Sequence, residues 1–117
     1  MSRSGLERRK LVGQRWPNLA NLLACFFNED YDLLYGSVDG AIDQASSDGS
    51  TAYRQDVLRE WRDWQTASAV DEVRPWLTAM SVHLLFETED DARKFMGRLY
   101  DSLMDRVRAE TSKDWKP

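Results

Sequence analysis

An apolar run that begins with a proline, Pro17 to Phe27, constrains this chain more than any other stretch. Leu19, Leu22, Leu23 and Phe26 recur at helical spacing, and Ala20, Ala24 and Phe27 add a second apolar face. Pro17 suits a first helical turn, where its missing N–H has no partner to lose. Only Asn18, Asn21 and Asn28 break the oily circumference, so the expectation is a central helix enclosed by its neighbours. Cys25 lies within this run and reads as a small thiol packed in the core.

Other helices should pack around it. Ser37 can cap a second helix, with Asp39 near its positive end and Val38, Ala41, Ile42 and Ala45 inward; Gly40 weakens it, and the Ser46–Ser50 run ends it. A third is expected from Thr51 to Ala67, its core stripe made of Tyr53, Val57, Leu58, Trp61 and Trp64. Its other side, with Arg54, Asp56, Arg59, Glu60, Arg62 and Asp63, reads as a mixed-charge solvent face. Asp71 can open a short fourth helix burying Val73, Trp76, Leu77 and Met80, and Thr88 a long last one with Phe95, Met96, Leu99, Leu103 and Val107 inward. Between these two, residues 81–86 read as a buried connector, with a short extended segment near 82–86 as the alternative to continuous helix. The fold class is therefore all-α, a single-domain bundle of about five helices. It occupies 16–110, between a basic flexible arm, 1–15, and a disordered tail, 111–117.

A length of 117 residues with 42% hydrophobic residues and five tryptophans suits one domain with a real core. A net charge of −4 argues against nucleic acid as the ligand, since phosphate binding needs a basic stripe. The first residues lack the continuous apolar segment of a secretory signal, and no stretch could span a bilayer, so a cytoplasmic protein without membrane attachment is expected.

Charge is also unevenly distributed. From Trp16 to Tyr53 there is no Lys or Arg, while Glu29, Asp30, Asp32, Asp39, Asp43 and Asp48 are all present, with Tyr31 and Tyr35 among the first of them. A one-sided field beside aromatic residues can attract and dock a basic protein. The same pattern also fits a solvated acidic loop whose aromatics fold back onto the core.

The residues of this region resemble the CdiI-type immunity proteins of bacterial contact-dependent growth inhibition systems. The resemblance rests on Trp16-Pro17-Asn18-Leu19, on Leu23-Ala24-Cys25-Phe26-Phe27, on Asp30-Tyr31-Asp32-Leu33-Leu34-Tyr35-Gly36-Ser37 and on Ala41-Ile42-Asp43. It implies a protein that binds and neutralises the toxic C-terminal domain of a contact-dependent inhibition protein, most of all a nuclease with a basic cleft. The contact surface expected on this chain is Glu29, Asp30, Tyr31, Asp32, Tyr35, Asp39 and Asp43, with the two tyrosines as anchors; Asp30 or Asp32 could instead cap the turn.

Catalytic signatures are sparse. His83 is the single histidine and Cys25 the single cysteine, and neither a phosphate-binding glycine loop nor an HExxH motif occurs. The expectation is a non-enzyme without cofactor or metal, acting as a monomer. An acidic adaptor for some other basic protein and a hydrolase built on the Asp30, Asp32, Asp39 and Asp43 carboxylates are the alternatives.

Overall fold

The computed structural model describes residues 3–117 and is all-helical, with seven helices among those residues. They are α1 (Gly5–Arg15), α2 (Pro17–Phe26), α3 (Tyr31–Tyr35), α4 (Val38–Ser47), α5 (Thr51–Ala67), α6 (Val73–Ala79) and α7 (Glu89–Glu110). The apolar stripes did indicate a bundle, but two helices beyond the expected five are present. One is α1, formed where a flexible basic arm was expected; the other is α3, a single turn too short to show a helical period in sequence.

The basic arm is helical because its charges have partners far along the chain. Ser4 caps it by accepting from the Glu7 N–H, Val12 is buried, and Arg3 meets Asp71 at 2.6 Å. At its other end Asp63 of α5 accepts from both Arg15 (2.8 and 3.0 Å) and the indole N–H of Trp16 (2.8 Å). The Trp16 indole foremost, with Arg15 adding to it, holds the Asp63 carboxyl below the ordinary aspartate range against desolvation. The tail also returns to the bundle. Trp115 is half-buried beneath the Arg59 guanidinium, and its carbonyl accepts from Arg108.

The core is shared by α2, α4, α5 and α7, with Leu19, Leu23, Phe27, Val57, Leu58, Leu99 and Leu103 fully enclosed. Phe27 and Phe95 meet edge to face at 4.9 Å, joining α2 to α7. Two expectations about α2 change here. It is not enclosed all round, because Asn21 and Cys25, one turn apart, lie on an exposed strip, so Cys25 is a surface thiol. Its first turn, which lacks a side-chain cap from Trp16, is satisfied by Glu60 of α5, which accepts from the N–H groups of Asn18 (2.8 Å) and Leu19 (3.1 Å).

The side of α5 expected to face solvent is accordingly mixed. Arg54 is only 2% exposed and donates to the carbonyls of Asp48 (2.7 Å) and Gly49 (2.8 Å) and to Glu110. Asp56, Arg59 and Arg62 remain outside. A carboxylate from another helix also caps α6. Glu72 is its N-cap residue, and Glu89 of α7 accepts from the Val73 and Arg74 N–H groups, whereas Asp71 holds Arg3 and the Trp76 indole.

Helix α6 is capped by Met80, and Ser81 just beyond it adopts a left-handed conformation with φ of 65°. The Ser81 N–H returns to Thr78 and the Val82 N–H to Leu77, closing the helix end. From there to Phe86 the chain is neither helix nor strand. Val82, Leu84 and Phe86 are half-buried and alternate with exposed His83 and Leu85, so only one side of the connector is covered. The His83 N–H donates to the Phe27 carbonyl at 2.9 Å and fixes this segment to the end of α2.

Candidate functional site

The acidic stretch forms a tight corner between α2 and α4. Asn28 builds its entry, accepting from the Asp30 N–H at 2.9 Å and donating its amide to the Cys25 carbonyl at 3.2 Å. Gly36, with φ of 81°, ends α3, and Ser37 starts α4 by accepting from the Gly40 N–H at 3.0 Å. Gly40 has a role its sequence position did not suggest: a Cβ there would overlap the Tyr35 carbonyl oxygen, so the close approach of α3 to α4 depends on glycine.

The seven residues expected to make the contact divide by what they do inside the chain. Tyr35 lies on Phe26, with ring centroids 5.5 Å apart, and its hydroxyl is 3.5 Å from the Cys25 carbonyl, so it packs the corner. Asp39 pairs with Arg98 of α7. Asp43, one turn further along α4, borders a different cleft with Ser102 and Arg106 of α7. Asp32 accepts locally from the Leu33 N–H at 3.0 Å. Asp30 occupies the N-cap position of α3 without its side chain capping it, and no cation lies within ion-pair distance of Glu29, Asp30 or Asp32 among the described residues. Tyr31 is half-buried and lines a groove beside the corner.

Two residues join the site that the sequence reading passed over. Leu33 is 84% exposed and Leu34 62% exposed, on the outer side of α3 next to the unpaired carboxylates. A single five-residue turn is too short for its period to show which side is covered, so the exposure of these two leucines left no signal in sequence. The corner thus offers two apolar side chains within an uncompensated negative field, a combination suited to a protein surface with apolar hollows and basic charge.

Among the described residues no three His, Cys, Asp or Glu side chains converge as a metal site, and no helix is long and apolar enough to cross a membrane. Neither a protein-family model, nor a curated protein, nor a solved structure matches the chain.

Proposed function

We propose that this chain is an immunity-type protein of the cytoplasm that, as a monomer, binds and neutralises the C-terminal toxin domain of a contact-dependent growth inhibition protein, with a nuclease as the favoured toxin. The observation that carries this reading is the α3 corner, where Leu33 and Leu34 stand exposed beside Glu29, Asp30 and Asp32, which pair with no cation among the described residues. The resemblance of residues 16–43 to CdiI-type immunity proteins supports it. A non-catalytic domain can block an enzyme by covering its active site, and opposite charge speeds the capture of a basic nuclease.

The test is co-expression with the toxin domain encoded immediately upstream. The reading expects restored growth and a stoichiometric complex, and it expects Glu29→Lys and Asp30→Lys to slow association, most strongly at low salt, without lowering the melting temperature. Failure of the parent protein to bind that domain or to protect cells from it would refute the reading.

A further inference from the structure

The groove beside the corner extends the exposed apolar surface well beyond α3. It has a volume of about 700 Å³ and is walled by Tyr31, Val38, Leu84, Leu85, Phe86 and Phe95, drawn from α3, α4, the 81–86 connector and α7. Leu85 lines it and is 99% exposed. Leu33, Leu34 and Leu85 are three of the five large apolar residues the described chain exposes, and all three belong to segments that border this groove. Scattered exposed leucines need no explanation, but Leu85 lies on an apolar groove that Tyr31 of α3 also lines, and a concave apolar surface of this kind does.

Charge restricts what could cover it. The two cations at the groove are already matched inside the chain, Lys94 by Asp90 at 3.0 Å and Arg98 by Asp39. Asp91 at the groove, Glu87 next to Phe86, and Glu29, Asp30 and Asp32 at the corner have no such match among the described residues. The face is therefore apolar at its centre and negative at its margin. A second copy of this chain would bring the same sign of charge to that margin.

We infer that the groove between α3, the 81–86 connector and the first turns of α7 is the second half of the toxin-binding surface, taking a basic segment of the toxin that inserts apolar side chains against Leu84, Leu85 and Phe95. This rests on the immunity reading and adds to it a contact some fifty residues away in sequence from the acidic corner. Two substitutions with opposite expected effects test it on the full chain, with affinity and association rate for the upstream-encoded toxin domain followed together with melting temperature. Leu85→Arg removes the exposed apolar side chain and opposes a basic partner; it should weaken binding by about tenfold or more with unchanged melting. Lys94→Glu makes the margin more negative and should raise the association rate severalfold at low salt, an effect that a merely destabilised fold would not produce. If both variants bind like the parent while Glu29→Lys weakens binding, the contact stops at α3: the inference falls and the immunity reading stands. If the parent protein does not bind the toxin domain, both fall.

Discussion

Replacing Arg54 by Met should destabilise the protein by about 2–3 kcal/mol, a large effect for a residue that sequence places on a solvent face. Arg54 is 2% exposed and its guanidinium donates to the Asp48 and Gly49 carbonyls and to Glu110, joining the loop before α5 to the last turn of α7. Methionine keeps most of the aliphatic packing, so the variant isolates the loss of these charge-assisted bonds. Each is worth about 1.5–3 kcal/mol when its acceptor stays dry, but Asp48 and Gly49 are exposed and Glu110 is partly so; water replaces much of what is lost. That lowers the expectation below the 3–5 kcal/mol typical of a broken pair whose second charge is left buried. Urea unfolding followed by circular dichroism should show the midpoint falling by about 1–2 M with an unchanged slope. Glu110→Gln, which leaves both carbonyl contacts in place, should be milder. A cost below about 0.5 kcal/mol for Arg54→Met, or an equal cost for Glu110→Gln, would refute the role assigned to the Arg54 carbonyl contacts.

Gly40→Ala should cost about 1–3 kcal/mol and shift α3 relative to α4, because the added methyl meets the Tyr35 carbonyl; unchanged urea stability would contradict the packing described for the corner. Acid should destabilise the fold through Asp63 and Glu110. The Trp16 and Arg15 donors lower the first and the Arg54 and Thr51 donors the second, so their contribution is complete above the ordinary carboxylate range and is lost as pH falls through the lowered folded values. Asp63→Asn should flatten the decline in urea midpoint below about pH 4, modestly because the group is solvent-screened, and an unaltered slope would count against the contribution assigned to Asp63. Cys25 should react with a water-soluble disulfide reagent in the native protein without denaturant; reaction only on unfolding would return it to the core.

Where periodicity and capping agree, sequence and structure coincide. Thr51–Ala67 is helical over the expected span, and Ser37 and Thr88 cap α4 and α7 as read, Thr88 accepting from the Asp91 N–H. What could not be read are pairings across long sequence separations. Glu60 and Arg54 look like surface residues on a helical projection, and only the arrival of α2 and the end of α7 gives them partners. The same holds for the N-terminal segment, where Arg15 at the end of α1 finds Asp63 and Arg3, just before its cap, finds Asp71. Cys25 was legible in principle, since Asn21 one turn before it and Asn28 three residues after it mark the wet strip of α2. At the site, Glu29 and Asp30 could be placed on an acidic corner from composition alone. The inward use of Tyr35 and Asp39 could not, because it depends on Phe26 and Arg98 being brought alongside.

The size of the exposed apolar cluster bears on whether α3 alone could hold a toxin. Burying a leucine side chain fully is worth about 1.5–3 kcal/mol, so Leu33 and Leu34 together offer at most about 6 kcal/mol. Association of two proteins costs an estimated 4–15 kcal/mol in lost translational and rotational freedom before any side chain is ordered. Steering by Glu29, Asp30 and Asp32 would accelerate encounter with a basic toxin but would contribute less to holding the complex once salt screens it. A corner limited to α3 therefore falls short of a tight complex. On the inference above, the 81–86 connector would add apolar surface, chiefly at Leu85 and beside half-buried Leu84 and Phe86, which line the same groove as Tyr31. The two halves of such a face also make separable demands on the fold. The α3 corner needs Gly40 to stay close to α4, whereas the connector needs the His83 N–H held on Phe27. A substitution that loosens one half should weaken binding while leaving the other half's contacts measurable.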